Sequence, residues 1–542
     1  MIRDNNKAVL KRFFIKSMNK KKEKIILFFL FSFSIYCAII IGQSWDEPFH
    51  YIQGQITLKY LFSLGRIDKD LFYREYYSPI YWSLQYLFTE LFPIKYQIET
   101  GHLVNLAFSL STIVGIAKIS KELFNKKVGK IVFLVLFFYP VFFGHMSFNP
   151  KDSIIAFCHV WIFLLSLTYI KQQTQNNKTD KYVFWIGLLA ATGTGVQLVF
   201  LGLLIPVFLF ILAEIFLFKK IISKNFMKKK FLFDLIKCFI VFYFFLILFW
   251  IDVHENIFLL PLEKVSKTFS SIYLTGWPTI LLNEKYYLSL YAPKFYLILN
   301  FIFKTPEYFL ISYLLFIIFL LNSKKFFDEK FEFFNYKLSL IILILLFPNI
   351  LLIFTPYPVY DGMRLFLWIV PYLCIIPALS IYYLLENYEL IWTRLTLYFL
   401  SMFIVYFLYI FLSITPYQYT YLNILSGKNI NNHKKFENDY WASSVKELVK
   451  HSNFESDENV LLATCGVNPS VTEFYLKKRG YTNFKLVAPD KANYVIMTNR
   501  SFLIEKENEP IKITNCFDIY EGKDLFNVRR NNLILSVIRK IN

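Results

Sequence analysis

Three groups of acidic and basic residues adjoin apolar runs of the sequence, and their types suit proton transfer and phosphate binding. The groups are Asp46, Glu47 and His50; Asn149, Lys151 and Asp152; and Asp361 with Arg364. A carboxylate can remove a proton from a hydroxyl, and fixed cations can stabilise the negative charge that develops on a departing phosphate. We therefore treat these eight residues as candidate functional residues.

The first group allows two interpretations. Pro48 favours the first turn of a helix, which would place Asp46 at the helix cap and within i, i+4 reach of His50. Asp46 would then act as a general base at the membrane surface, oriented by its neighbours. Alternatively, Asp46 is an N-cap that satisfies free backbone N–H groups. Capping would also lower the pKa of Asp46 and weaken it as a base, so spacing alone leaves both roles open.

The second and third groups each contain a cation at an unfavourable place. Asn149-Pro150-Lys151-Asp152 predicts a helix start, with Asn149 as the cap and Pro150 at the first position. A cation there opposes the helix dipole, so Asp152 or a bound phosphate should compensate Lys151. Arg364 lies at the outer end of another apolar run. Either its side chain snorkels to the interface, or it binds a lipid phosphate.

Apolar runs dominate the chain as far as about residue 415. The protein has 542 residues, 56% of them hydrophobic, and its net charge is +20. The basic residues cluster beside apolar runs, which favours membrane anchoring over nucleic-acid binding. Runs long enough to span a bilayer predict about eleven transmembrane helices. They lie near 24–43, 101–118, 129–148, 153–170, 182–198, 199–218, 231–251, 297–321, 338–356, 364–385 and 395–414.

The distribution of lysines predicts the orientation. The positive-inside rule puts the basic segment 1–23 in the cytoplasm and the candidate residues on the outer face of a transmembrane domain over 24–415. The outer loop 44–100 contains two amphipathic stretches, 49–64 and 79–92. The second suits a helix in the headgroup region, although an ordinary extracellular loop is the alternative.

From about residue 416 the composition becomes that of a soluble domain. Strands are predicted at 460–463, 484–487 and 494–497, and a helix at 470–478, so 416–542 should form a small extracytoplasmic α/β domain. Cys465 and Cys516 lie in this domain, and the sequence leaves open whether they are bonded. The predicted fold class is thus a polytopic α-helical membrane protein with a small α/β C-terminal domain.

The order of these motifs resembles a known family. Trp45-Asp46-Glu47 with His50 resembles the Asp-Glu signature of the GT-C membrane glycosyltransferases. The set as a whole is most similar to glycosyltransferase family 39, the dolichyl-phosphate-mannose–protein mannosyltransferases and their bacterial relatives. The similarity extends over about 24–445, and its further segments are 148–152, 293–306, 360–367, 416–419 and 439–441, with Asn423. Leu365 departs from it, since relatives often carry His there.

The resemblance implies a transferase that uses a polyprenyl-phosphate-linked sugar and inverts the anomeric carbon. Asp46 would deprotonate the acceptor hydroxyl, and Glu47 would support the acceptor site. Lys151 and Arg364 would hold the phosphate, with Asp152 orienting them. His50, Asn149 and Asp361 would complete the substrate-binding set. The acceptor would be a protein, lipid or glycan, and the location the inner or plasma membrane. No cofactor and no metal are predicted.

Two other classes compete with the enzyme. A transporter or lipid flippase would place ionisable residues at mid-membrane depth in broken helices, whereas the notable charges here lie at helix ends on one face. A non-catalytic scaffold of a cell-envelope complex would tolerate Asp46→Asn without loss of pathway activity.

Overall fold

The structure is a computed structural model that describes residues 20–66, 76–219, 226–268, 276–355, 357–454, 460–504 and 512–541. The first half of the chain is helical. Its helices are α1 Lys20–Ile40, α2 Glu47–Phe62, α3 Ile80–Glu90, α4 Gln97–Leu123, α5 Lys126–Phe137, α6 Pro140–His145, α7 Asp152–Thr174, α8 Asp180–Val196, α9 Phe200–Leu203, α10 Ile205–Ala213, α11 Lys228–Phe249 and α12 Leu259–Thr268. A π-helical turn, Glu214–Phe218, extends α10.

The second half contains further helices and then the sheet domain. A short hairpin of β1 Thr279–Leu282 and β2 Lys285–Leu288 precedes α13 Tyr296–Lys304, α14 Glu307–Lys330 and α15 Phe334–Phe354. The 3-10 segment Arg364–Ile369 leads into α16 Val370–Leu373, α17 Ile375–Glu386 and α18 Ile391–Ser413. The C-terminal elements are α19 Val445–His451, β3 Val460–Cys465, α20 Pro469–Arg479, β4 Phe484–Leu486, β5 Tyr494–Thr498, β6 Ser501–Ile504, β7 Lys512–Asn515, α21 Cys516–Ile519, β8 Lys523–Arg530 and β9 Leu533–Lys540.

Eight helical segments of the described chain are long and apolar enough to cross a membrane. They are Lys21–Ile40, Ile94–Leu123, Asp152–Thr174, Lys228–Phe249, Glu307–Lys330, Phe334–Phe354, Arg364–Glu386 and Ile391–Ser413. Shorter or interrupted helices occupy the other three predicted positions, namely α5 with α6, α8, and α9 with α10. The predicted multi-pass helical class is therefore confirmed, but the sequence overestimated the number of long spans.

Prolines explain two of the differences. The helix predicted over 297–321 is two helices, α13 and α14, because Pro306 has no N–H and forces the preceding Thr305 into an extended conformation (φ −104°, ψ 138°). The helix predicted over 129–148 is interrupted in the same way at Tyr139, before Pro140. The helix after Asn149 begins only at Asp152, so Pro150 lies outside it rather than at its first position.

Two helices, α2 and α3, occupy the two amphipathic stretches predicted within 44–100. They cross closely at Gly54, where an added Cβ would lie 2.3 Å from the carbonyl oxygen of Trp82. Trp82 faces inward and is fully buried, whereas Leu87 and Phe88 on the other side of α3 are exposed. This arrangement brings the start of α2 against the bundle. The location of α3 in the headgroup region stays a prediction.

The C-terminal domain has a five-stranded sheet in the order β4-β3-β5-β9-β8. Strand β3 is parallel to β4 and β5, whereas β9 is antiparallel to β5 and β8. The predicted strands and helix are confirmed, but the sequence missed β8 and β9. A disulfide joins Cys465 at the end of β3 to Cys516 at the start of α21.

This domain shares its hydrophobic core with the ends of the helical bundle. Ile41, Phe148 and Trp441 belong to the same buried cluster as Leu462 and Ile496 of the sheet. Because apolar side chains of both parts are removed from solvent together, the sheet domain is held firmly at the end of the bundle where α1 ends and α7 begins.

Candidate active site at the end of the helical bundle

Arg364 is the centre of an ion-pair cluster that joins all three sequence groups. Its guanidinium donates from Nε to Asp152 Oδ2 at 2.9 Å, from Nη1 to Asp361 Oδ2 at 2.5 Å and from Nη2 to Asp46 Oδ2 at 3.3 Å. The side chain is buried. Three carboxylates from distant parts of the sequence thus share one cation, which fixes their relative positions.

A tight turn and an aromatic ring hold the guanidinium in place. Asp361 and Gly362 both adopt positive φ, at 57° and 65°, so the chain reverses immediately before Arg364. The guanidinium carbon lies 4.0 Å from the ring centroid of Trp441, a distance typical of cation–π stacking. Both features favour one orientation of Arg364.

Asp46 lies at the N-cap position of α2, but its side chain makes no capping hydrogen bond. The carboxylate instead accepts from Arg364, and about a third of the side chain (33%) remains exposed. Burial raises the pKa of Asp46, while the nearby Arg364 and Lys151 act in the opposite direction. Of the two interpretations drawn from spacing, the geometry favours an oriented carboxylate over a helix cap.

A cavity of about 510 Å³ opens beside Asp46. Three of the eight candidate residues line it: Asp46, His50 and Lys151. The rest of its wall is formed mainly by aromatic and aliphatic side chains, among them Phe49, Tyr77, Leu198, Tyr357, Tyr360 and Leu365. The cavity lies where α2 and α7 begin and α8 ends, at the bundle end that carries the sheet domain.

Lys151 is the cation that the cavity offers to a ligand. Its Nζ lies 3.3 Å from the Tyr77 hydroxyl and 5.3 Å from the centroid of that ring. Within the described ranges no carboxylate lies within ion-pair distance of Lys151, in contrast to Arg364. The sequence suggested that Asp152 might compensate Lys151. Asp152 pairs with Arg364 instead, which leaves Lys151 available for an anion.

His50 faces the cavity without contacting the side chain of Asp46. Its ring stacks on Trp82 with centroids 4.2 Å apart, and its Nδ1 has no hydrogen-bond partner among the described residues. Burial lowers the pKa of His50 well below its usual value, so the ring is neutral at physiological pH. The Nδ1 nitrogen is buried, so the neutral ring contributes to the cavity wall through its stacking on Trp82.

Glu47 points away from the cavity. Its Oε1 lies 2.9 Å from His102 Nε2 on α4, and its Oε2 accepts from the backbone N–H of Ser44. The geometry therefore gives Glu47 a role in anchoring the start of α2. It does not favour the direct support of the acceptor that the family resemblance implied.

Asn149 and Asp152 form the support beneath Arg364. The Asn149 side chain accepts from the backbone N–H of Asp152 at 3.0 Å, and its amide donates to Asp152 Oδ2 at 3.0 Å. The same amide lies 3.3 Å from His145 Nδ1. Neither Asn149 nor Asp152 lines the cavity. Asp152 holds Arg364, and Asn149 holds Asp152 in place.

Sequence reasoning missed Arg500 and Glu437. Arg500, in the turn between β5 and β6, donates from Nη1 to Asp361 Oδ1, and the same Nη1 lies 4.0 Å from Glu437 Oε2. Both side chains are buried. The only available signal was that Asn499-Arg500 follows a predicted buried strand, and such a strand does not reveal what its end faces.

In the part of the chain that the structure describes, no group of three or more His, Cys, Asp or Glu is arranged to hold a metal ion. The three carboxylates nearest the cavity surround a guanidinium instead.

No protein-family model and no curated protein sequence matches this chain. Similar solved structures include ArnT from Cupriavidus metallidurans in the apo state, with 9% identity, a TM-score of 0.49, and coverage of 96% of this chain and 98% of that chain. The same ArnT bound to undecaprenyl phosphate gives a TM-score of 0.48 at the same identity and coverage. The archaeal oligosaccharyltransferase AglB from Archaeoglobus fulgidus, in complex with an inhibitory peptide and a dolichol-phosphate, gives 0.38 at 11% identity, covering 92% of this chain and 75% of that chain. At such low identity these similarities assign no role to any residue.

Proposed function

We propose that this protein is a membrane glycosyltransferase that moves a sugar from a polyprenyl-phosphate carrier to an acceptor hydroxyl. One observation carries the proposal: a cavity at the end of a membrane-spanning bundle is lined by a partly exposed carboxylate, Asp46, and by Lys151, which has no carboxylate partner among the described residues. A base and a cation in one cavity are the two groups that transfer from a phosphate carrier needs.

The reaction follows from these two groups. Asp46 accepts the proton of the acceptor hydroxyl as the oxygen attacks the anomeric carbon. The new carbon–oxygen bond forms on the face opposite the bond to phosphate, which breaks and leaves the configuration inverted. The electron pair of the broken bond stays on the polyprenyl phosphate, where Lys151 stabilises the added negative charge. The transferred sugar is a hexose or a pentose, and the acceptor is a protein, lipid or glycan.

Arg364 acts differently from what the family resemblance implied. Its donors are directed at Asp46, Asp152 and Asp361, and it does not line the cavity. We therefore assign phosphate binding to Lys151 and the orientation of Asp46 to Arg364. His50 lines the cavity and stacks on Trp82, so we propose that its ring contacts the bound substrate.

The transporter alternative fits the site less well. The ion pairs of the cluster lie at the beginning of α7 and of the segment Arg364–Ile369, not midway along a span. Mid-membrane charges that would form a transport path are expected to lie inside broken helices.

The test is release of free polyprenyl phosphate from a polyprenyl-phosphate-linked sugar by the reconstituted protein. Asp46→Asn should lower the rate by about 10²–10⁴-fold, since a general base contributes about that factor. Lys151→Met should lower it as well. The matched controls are Asp180→Asn, which loses an exposed ion pair with Lys237, and Lys118→Met, which loses a lysine 5.3 Å from the Trp161 ring outside the cavity. Equal release by the wild type and Asp46→Asn would contradict the proposal.

A further inference from the structure

Arg500 reaches the candidate site from the C-terminal sheet domain. It follows β5 after one residue, Asn499, and its guanidinium carbon lies 4.1 Å from the ring centroid of Trp277. Its Nη1 pairs with Asp361 and lies 4.0 Å from Glu437. Only 4% of the residue is exposed. A buried, stacked and doubly paired arginine is held in one position, since a buried charge is costly unless it is paired.

The sheet domain fixes the backbone that carries Arg500. The carbonyl of Arg500 accepts from the N–H of Cys516 at 3.0 Å, and Cys516 is bonded to Cys465. Gly466, the next residue after Cys465, lies so close that an added Cβ would be 2.4 Å from the Cβ of Arg500. The disulfide therefore joins the two segments that enclose the Arg500 backbone.

Asp361 links Arg500 to the rest of the site. Its Oδ1 accepts from Arg500 and its Oδ2 from Arg364, which in turn holds Asp46. Without Arg500, Asp361 would be a buried carboxylate with Arg364 as its one ion-pair partner among the described residues and the buried Lys304 as the other nearby cation. It would then compete more strongly with Asp46 for that guanidinium, because a buried carboxylate needs a compensating cation.

We propose that Arg500 is a positioning residue of this site, which neutralises Asp361 so that Arg364 can hold Asp46, and that the C-terminal domain is therefore part of the catalytic unit. The catalytic consequence rests on the proposed function, but the coupling between Arg500 and Asp46 does not. The two can be tested separately.

The coupling is measured on the full-length protein in detergent by chemical labelling of Asp46. A water-soluble carbodiimide with an amine nucleophile converts the protonated carboxyl to an amide, and mass spectrometry of the Asp46 peptide gives the labelling rate at each pH. Asp46→Asn supplies the blank. In Arg500→Ala the pH midpoint of labelling should rise by roughly half a unit or more, because Asp46 loses part of the stabilisation that a nearby cation gives a carboxylate.

The matched control is Arg530→Ala. Arg530 also belongs to the sheet domain, pairs with Glu447 and donates to the carbonyl of Thr415 near the end of the bundle, but it is not part of the Arg364 cluster. The pH midpoint of Asp46 labelling in Arg530→Ala should equal that of the wild type. Arg500→Lys, which keeps the charge, should give a smaller rise than Arg500→Ala and provides a measurement if the alanine variant fails to fold. The double variant C465S/C516S should shift the midpoint in the same direction.

Equal midpoints in the wild type, Arg500→Ala and Arg500→Lys would overturn the inference. Polyprenyl phosphate release is measured on the same samples. If the labelling midpoint shifts while even the wild type releases no polyprenyl phosphate, the proposed function fails and the positioning role of Arg500 stands. If the wild type is active and Arg500→Ala matches Arg530→Ala in both midpoint and rate, the positioning role fails and the proposed function stands.

Discussion

At the scale of residues, the ionisation of Asp46 depends on opposing influences. Burial disfavours the charged carboxylate and raises its pKa, whereas Arg364 and Lys151 favour the charged form. A base needs a pKa high enough to hold the proton and low enough to be ionised beforehand. The arrangement around Asp46 therefore serves its proposed role better than a helix cap would, because capping lowers the pKa.

The rate should depend on pH through Asp46. The carboxylate accepts a proton only when it is ionised, so activity is present above its pKa and is lost as the pH falls through that value. Because the pKa is raised, this loss should occur above the value of about 3.9 that is usual for aspartate. The measurement is kcat/KM as a function of pH. If kcat/KM falls only at or below the usual pKa of aspartate, Asp46 is not the base.

Removal of Lys151 should move the acidic limb of the pH profile of kcat/KM to higher pH. Lys151 favours the ionised form of Asp46, so Lys151→Met should raise the pKa further and leave less of the base ionised at a given pH. Lys118→Met should leave the limb in place. Because a merely less stable protein would lose rate at all pH values alike, the displacement separates an electrostatic effect from a loss of folded protein.

The sequence predicted which residues lie close together, but it did not predict which role each of them has. Hydropathy, with successive loops assigned to alternate sides of the membrane, was enough to predict that Asp46, Lys151 and Arg364 lie at the same membrane face. They could not show that Arg364 is surrounded by carboxylates while Lys151 is not, because ion pairing depends on side-chain directions over long sequence separations. Glu47 is a second residue whose partner the sequence could not predict. It neighbours Asp46 in the sequence, yet it pairs with His102 on another helix.

At the scale of elements, the crossing of α2 and α3 shapes the cavity. Gly54 allows the two helices to touch backbone to backbone at Trp82, and the Trp82 ring supports His50 in the cavity wall. A larger residue at position 54 would push α3 outward and displace that ring.

Gly54→Ala should therefore destabilise the protein and lower its activity. The added methyl would lie 2.3 Å from a backbone oxygen, and such overpacking costs about 1–3 kcal/mol. Gly202→Ala is the matched control, since nothing lies within 4 Å of the methyl that it would add. The measurement is the thermal unfolding midpoint in detergent. A midpoint for Gly54→Ala that is no lower than that of Gly202→Ala would show that α2 and α3 separate without cost.

Element boundaries followed from the sequence where the hydrophobic pattern was unambiguous. Strands β3 and β5 were found because each is a short apolar run, and β4 because Phe484 and Leu486 alternate with Lys485. Strand β8, in contrast, reads Lys-Asp-Leu-Phe-Asn-Val-Arg-Arg, and its place at the edge of the sheet leaves most of these side chains accessible. An edge strand buries little and so carries a weak apolar signal.

At the scale of the whole molecule, the two ends of the bundle differ in character. The cavity end carries the buried cluster around Arg364. The opposite end carries solvent-accessible ion pairs such as Lys127 with Glu386 and Lys171 with Glu122. The abundance of lysine at the latter end supports the proposal that it faces the cytoplasm.

Orientation can be tested with single cysteines and a membrane-impermeant maleimide. Asn177→Cys lies in the exposed turn between α7 and α8, and Lys485→Cys lies on the exposed side of the sheet domain. In intact cells the cysteine at 485 should be labelled, and the one at 177 only after permeabilisation. The parent protein is the blank, since Cys465 and Cys516 are bonded and the other four cysteines lie within apolar helices. The reverse pattern would invert the proposed topology.

The ion pairs that join Asp46 to Arg364, Arg364 to Asp361 and Asp361 to Arg500 also impose an order on biogenesis. Asp46 emerges from the ribosome long before Arg500, so a nascent chain inserted in the membrane contains Asp46 before that carboxylate is held in position. The protein would thus be inactive during this interval. It would become active only when the sheet domain that carries Arg500 has docked at the end of the bundle.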